Sequence, residues 1–249
     1  MRILFSPLAL VFLCLLVPSS AAAQEDSVKL ELLTLSFKGT VQELFYRNGK
    51  DVVEMTASRQ GIGAPFLYKG PRLLSLYNDP KDLEPRKEDA AVPKPVAQVL
   101  LPSKENRALL IFAFDKKNEG APRVKAYGID TGGMKNGDYR LFNFSQKPVA
   151  AILGDNKKTA LKPQQTSLVS STAWRKEIID LDVRFATPIN GKLEQVYTSV
   201  WGHRPERRMF VFIFDRPDKN RPLDIRMFFD LPAVKSAELT AELERSKTR

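Results

Sequence analysis

Apolar residues recur at every second position through much of this chain, in runs of about five to ten residues bounded by turn-forming residues. The clearest run lies between Glu177 and Trp201, where apolar and charged side chains alternate. Its first apolar positions are Ile179, Leu181, Val183 and Phe185. Because successive side chains of a β-strand point to opposite faces, this alternation predicts strands with one buried face. Before residue 233 no helical pattern is long enough for a βαβ unit, so the chain is predicted to be all-β.

Asn-Gly pairs mark turns between these strands. Asn190-Gly191 supplies the two positive-φ positions of a type I′ hairpin turn. The register that this turn sets predicts three cross-strand pairs: Phe185 with Val196, Val183 with Thr198, and Leu181 with Val200. Two further pairs predict a hairpin of residues 41–46 with 51–56, and a strand over residues 138–144.

Two segments, residues 107–130 and 207–230, resemble each other at an offset of 100 without a gap. Both have the order arginine, apolar strand, aspartate, polar loop with proline, second strand, aspartate. This shared order favours an internal duplication. The first strand of each segment is apolar on both faces, which predicts a strand in the middle of a sheet covered on both faces.

The expected architecture is two antiparallel β-sandwich-like halves, residues 24–130 and 131–232. One continuous sandwich in which the halves share a core is equally compatible with the pattern, because no flexible linker divides them. After Pro232 the composition changes to Ala, Glu, Leu and Lys. Residues 233–249 are therefore predicted to form a short C-terminal helix that packs through Val234, Leu239 and Leu243.

The N-terminus has the layout of a secretory signal peptide. A positive Arg2 precedes a 15-residue apolar stretch over residues 3–17, and residues 21–23 offer a small-residue cleavage site. A membrane-spanning helix needs about 20 apolar residues, so residues 1–23 are predicted to be removed, with no transmembrane span left. We expect a protein that is exported, either to a periplasm or into the medium.

Cysteine and histidine counts exclude several chemistries. The single cysteine, Cys14, lies in the predicted signal peptide, so the mature chain has no disulfide, thiol nucleophile or cysteine-ligated metal. The single histidine, His203, is too few for a site of two or three imidazoles. Phosphate-loop, dinucleotide-binding, zinc-protease and serine-hydrolase motifs are absent from the sequence. We expect no cofactor and no metal site.

Two carboxylates keep one enzymatic alternative open. Asp180 and Asp182 lie on the same face of one predicted strand, about 6.5 to 7 Å apart. A pair of acids is all that glycoside hydrolysis requires. They also fit the solvated face of the hairpin, where Arg184 balances their charge, and that reading is the favoured one.

The densest unusual cluster follows the strand that ends near Trp201. We predict a ligand-facing loop whose candidate binding residues are Trp201, His203, Arg204, Arg207 and Arg208. Arginines offer planar, charged donors for carboxylate or phosphate, and tryptophan offers a flat apolar platform. The alternative is that Trp201 packs in the core and the arginines only solvate the loop.

The chain carries 39 Lys and Arg against 29 Asp and Glu, a formal charge of +10, of which the signal peptide removes only Arg2. For an exported protein without a nucleic-acid motif, this charge favours an anionic envelope polysaccharide, lipid headgroups or an envelope protein as partner, and no nucleic acid. The expected function is a non-catalytic cell-envelope protein that binds or scaffolds such a component. The alternative function is a carboxylate-based hydrolase of an envelope polysaccharide.

Overall fold

A computed structural model describes residues 27–37, 39–85, 91–114, 122–130, 133–154, 157–172, 176–218 and 220–230. The predicted signal peptide and the predicted C-terminal helix lie outside the described residues. In the described part, the strands are β1 Ser27–Ser36, β2 Val41–Asn48, β3 Asp51–Ala57, β4 Phe66–Pro71, β5 Leu73–Leu76, β6 Ala97–Leu100, β7 Arg107–Phe114, β8 Pro122–Gly128, β9 Tyr139–Asn143, β10 Val149–Leu153, β11 Lys157–Leu161, β12 Thr166–Val169, β13 Asp180–Ile189, β14 Lys192–Gly202, β15 Arg208–Asp215 and β16 Leu223–Asp230. One 3-10 helix, Pro80–Leu83, interrupts them. The predicted all-β class is confirmed.

Two four-stranded sheets with equivalent connections form the centre of the structure. Their strand orders are β4-β1-β7-β8 and β12-β9-β15-β16. In each sheet the two middle strands run parallel, and each outer strand is antiparallel to its neighbour. In both halves five other strands lie between the parallel partners along the chain. The sequence pattern predicted antiparallel halves because hairpin signals are local, whereas these parallel pairs join distant segments.

The repeated segments form two equivalent hairpins, β7–β8 and β15–β16. Leu109 pairs with Tyr127 in the first hairpin, and Met209 pairs with Phe229 in the second. The first strands therefore match at an offset of 100 and the second strands at 102. The gapless alignment holds for the first strands only, and the second hairpin has a loop two residues longer.

Buried side chains form three layers. The first cluster lies between the β4-β1-β7-β8 sheet and the hairpins β2–β3 and β5–β6. The last cluster lies between the β12-β9-β15-β16 sheet and a third four-stranded sheet, β11-β10-β13-β14. The middle cluster contains residues of both halves; it includes Leu33, Leu109 and Ile111 from the first and Phe142, Phe210 and Phe212 from the second. Phe142 and Phe212 stack with ring centroids 4.7 Å apart. The two halves therefore share a core.

The hairpin of β13 and β14 differs from its predicted register. Asn190 and Gly191 both have positive φ, 49° and 78°, as a type I′ turn requires. The predicted register holds from this turn to the pair Ala186–Gln195, but a bulge then shifts the pairing by one residue. Phe185 consequently lies opposite Tyr197, and the remaining predicted pairs become Val183–Ser199 and Leu181–Trp201. The extra residue turns Trp201 into the core and leaves Val200 60% exposed.

None of the described residues belongs to a helix that is long and apolar enough to cross a membrane.

Candidate functional site

The five predicted binding residues divide into three buried and two solvent-accessible side chains. Trp201 is the penultimate residue of β14, and Arg208 begins β15. Residues 203–207 form the connection between these two strands. Trp201, His203 and Arg208 are 4%, 1% and 6% exposed. The predicted loop exists, but most of its predicted ligand contacts face the protein interior.

Trp201 is a core residue. Its ring stacks against Tyr139 at a centroid distance of 6.3 Å and lies 5.9 Å from Phe185. The indole Nε1 donates a hydrogen bond to the Tyr197 hydroxyl at 3.2 Å. The exposed aromatic platform expected from the sequence is therefore not presented, because the bulge in β14 directs this side chain inward.

His203 anchors the loop to β9. Its Nδ1 lies 2.9 Å from the Tyr139 hydroxyl, and its backbone N–H donates to the Ile179 carbonyl at 2.7 Å. Burial raises the pKa of the Tyr139 phenol, so the phenol stays protonated and can donate to the imidazole. The histidine therefore fixes the backbone of the loop instead of facing a ligand.

A second buried polar contact joins the loop to its neighbours. Asp138 is 2% exposed. One of its carboxylate oxygens accepts from the backbone N–H and the hydroxyl of Ser171, at 2.8 and 3.0 Å. The other accepts from the Lys135 backbone N–H at 2.8 Å. Gly137, at φ 86°, donates its N–H to the Arg207 carbonyl at 2.7 Å, and a Cβ there would lie 2.8 Å from the Ser171 hydroxyl. Three loops are thus held in one arrangement.

These contacts do not form a serine-hydrolase relay. In such a relay the histidine lies between the serine and the aspartate. Here the Ser171 hydroxyl donates directly to Asp138, and His203 Nδ1 is bonded to Tyr139. Ser171 is 0% exposed, so its hydroxyl is not open to a substrate. The cluster is structural.

Arg208 belongs to a buried ion network between the two halves. Its guanidinium contacts Asp230 and lies 3.8 Å from Asp130. Arg107 lies 2.9 Å from Asp230 and also contacts Glu31. Burial raises the pKa of Asp230 to about 6, and Arg107 opposes this rise. Each of these carboxylates lies against an arginine. Because Arg107 and Asp230 are 123 positions apart in the sequence, the network connects the two halves of the chain.

The exposed surface of the loop extends over two neighbouring loops. A depression of about 540 Å³ is lined by Lys135, Asn136, Lys176, Pro205 and Glu206. Arg204 projects from the same connection, and its Nη1 donates to the His203 carbonyl at 3.2 Å. Arg207 lies over the Phe229 ring at 4.4 Å and 3.6 Å from Glu206. We refer to Lys135, Asn136, Lys176 and residues 204–207 as the loop surface.

Sequence reasoning missed Lys135, Asn136 and Lys176. The turn signal of Asn136-Gly137 placed a loop before β9, but it gave no indication of which other loop it would meet. The parallel pairing of β9 with β15 brings the start of β9 beside the start of β15. The loops that precede these two strands therefore share one end of the sheet.

The acids that motivated a hydrolase are not arranged for catalysis in the described part of the chain. Asp180 and Asp182 are both exposed on the outer face of β13. Asp230, the most buried acid of the ion network, lies against Arg107 and Arg208. Within the described ranges there is no group of three or more His, Cys, Asp or Glu residues that could hold a metal ion.

No protein-family model matches the chain, and no curated protein matches its sequence.

Proposed function

We propose that this is an exported, non-catalytic protein of the cell envelope that binds an anionic polysaccharide through the loop surface. The observation that carries the proposal is a depression where Lys135 and Lys176, from two loops, meet the connection between β14 and β15. That connection also carries Arg204 and Arg207. Carboxylate or phosphate groups are the natural partners of such a set. Export rests on the signal-peptide pattern of residues 1–23.

Buried hydrogen bonds at the described residues of the loops support binding. Asp138, Ser171 and His203 hold the backbones of the three loops by buried hydrogen bonds. A surface whose backbone is already fixed loses less conformational entropy when it binds a ligand. The Asn136 amide adds a neutral donor and acceptor, as sugar hydroxyl groups require.

The hydrolase alternative is not favoured. It needs two acids at a shared cleft, one of them with a raised pKa and free to donate a proton. Asp180 and Asp182 are solvated on an open sheet face, and the acids of the ion network are engaged by arginines. Binding without catalysis therefore accounts for the described residues better.

The test compares two triple variants of the mature protein. The site variant is Lys135→Gln, Lys176→Gln and Arg204→Gln, and Arg208 is left intact because it belongs to the ion network. The control variant is Lys50→Gln, Lys69→Gln and Lys104→Gln, which removes the same charge from exposed positions in the first half. Retention is measured on immobilised polygalacturonate at low and moderate salt.

We expect the site variant to elute at lower salt than the control variant and the parent. Screening over a Debye length of about 8 Å at physiological ionic strength should weaken the parent's retention as salt rises. Equal losses in both variants would mean that only net charge matters and would contradict the proposal. Selective retention on anionic vesicles without retention on the polysaccharide would point to lipid headgroups instead.

A further inference from the structure

The outer face of the β11-β10-β13-β14 sheet carries a recess away from the loop surface. Its volume is about 430 Å³. Ala150 pairs with Ala160 on one side and with Ala186 on the other, so three small side chains form one row across three strands. Neighbouring strands lie about 4.8 Å apart, so this row makes a flat apolar floor about 10 Å wide.

Longer side chains surround this floor. In the adjacent row, Ile152 lies between Lys158 on β11 and Arg184 on β13. On the opposite side, Leu193 and Gln195 of β14 complete the lining. Leu193 is 64% exposed. The recess is therefore apolar at its base and cationic at one end.

Gln195 of β14 forms the remaining wall. It lies opposite Ala186, in the last pair that follows the turn register before the bulge. The Gln195 amide then donates to the Thr198 hydroxyl at 2.9 Å. This contact holds a polar side chain along the edge of the recess.

We propose that this recess binds a small amphipathic anion, a carboxylate or sulfonate group attached to a flat apolar body. Charge complementarity sets the ligand's charge, because Lys158 and Arg184 have no ion-pair partner within the described ranges of the chain. The volume lies within the usual range of small-molecule sites, about 300–1,000 Å³. Alanine is disfavoured in strands. Because the three alanine side chains of this row are short, the apolar surface close to the backbone is left open for a ligand to cover.

This site is separate from the loop surface. Gln195 and Gly202 are seven residues apart on β14, which corresponds to about 23 Å along the strand. The recess also does not suit a second copy of the chain. In a two-fold interface the same patch meets itself, so Lys158 and Arg184 of both copies would be buried against a lining that contains no acidic residue.

The probe is 8-anilinonaphthalene-1-sulfonate, an aromatic sulfonate whose fluorescence rises in apolar surroundings. It is titrated into the mature parent and two variants: Ala150→Leu, which fills the floor, and Lys158→Gln with Arg184→Gln, which removes the charges. The matched control is Lys162→Gln with Lys192→Gln, two exposed cations of the same region outside the lining. Far-UV circular dichroism confirms that each variant is folded.

We expect either recess variant to weaken binding at least tenfold, while the control binds like the parent. Loss of a hydrogen bond to a charged group has an effect of that size. 2-Naphthoate should displace the probe and 2-naphthol should not, since both have a flat apolar body and only 2-naphthoate is charged at neutral pH. Unchanged binding in folded Ala150→Leu would overturn the proposal, as would a parent that dimerises and becomes monomeric in that variant, because a second copy would then be the occupant.

Discussion

Leu109 and Leu110 are neighbours on β7 whose side chains enter different cores. Leu109 belongs to the middle cluster between the halves, and Leu110 belongs to the first cluster. Both are 0% exposed, so each Leu→Ala change removes fully buried methyl groups and leaves a cavity. Such changes cost about 2–5 kcal/mol of unfolding free energy. For a domain of about 150–250 residues each kcal/mol lowers Tm by about 2–4 °C, so each variant should melt about 4–20 °C below the parent.

The informative measurement is which part of the protein unfolds. Trp201 lies in the last cluster, far from Leu110 in the layer order, so its fluorescence reports on the second half. In a Trp174→Phe background it is the sole tryptophan of the chain. Because the halves share the middle cluster, we expect both variants to shift the urea midpoint of Trp201 fluorescence as much as that of far-UV circular dichroism. If Leu110→Ala lowers the circular dichroism midpoint and leaves the Trp201 midpoint unchanged, the halves unfold separately and the reasoning is refuted.

Three further substitutions test the buried polar contacts by urea unfolding. Arg107→Met removes the guanidinium that lies against Asp230 and Glu31 in the buried ion network, and it should lower the unfolding free energy by about 3–5 kcal/mol. Arg226→Met removes an exposed ion pair and should lower the unfolding free energy by less than about 1 kcal/mol. A similar cost for both would contradict a structural role for the ion network. Gly137→Ala should lower the unfolding free energy by about 1–3 kcal/mol, because φ at this position is 86° and the added Cβ would be crowded. An unchanged urea midpoint would show that the loop relaxes freely. Tyr139→Phe removes the hydrogen bond to buried His203 and should lower the unfolding free energy by about 1–3 kcal/mol. An unchanged unfolding free energy would show that Tyr139 contributes only its ring.

Much of the fold follows from local pattern. Alternation predicts β13, and Asn190-Gly191 predicts its turn, because side-chain direction and turn geometry are properties of a few adjacent residues. The uniformly apolar sequence of residues 108–114 correctly places β7 in the middle of a sheet covered on both faces. The parallel partners and the shared middle core depend on contacts between distant segments, and no local pattern records them.

The candidate site is predicted less completely, and the β-bulge explains why. A single extra residue near Val196 reverses the faces of the last strand residues, so that Trp201 points inward. With the bulge in place, Trp201 packs against Tyr139 and Phe185, and the strand's own sequence does not reveal these contacts. The loop was placed correctly, but the second cationic loop, with Lys176, is brought to it by the tertiary fold.

The parallel central strands also determine when each surface is covered during synthesis. The partner of β1 is β7, so the first central sheet is completed only when residues up to Phe114 and the following hairpin strand have emerged. The face that this sheet contributes to the middle cluster is then covered only after β15, which ends at Asp215. At about 5–20 residues per second, the roughly 100 intervening residues correspond to about 5–20 s of exposed apolar sheet. A chain that stops at residue 130 would keep that face uncovered, and we expect it to associate with other chains instead of persisting as a soluble half.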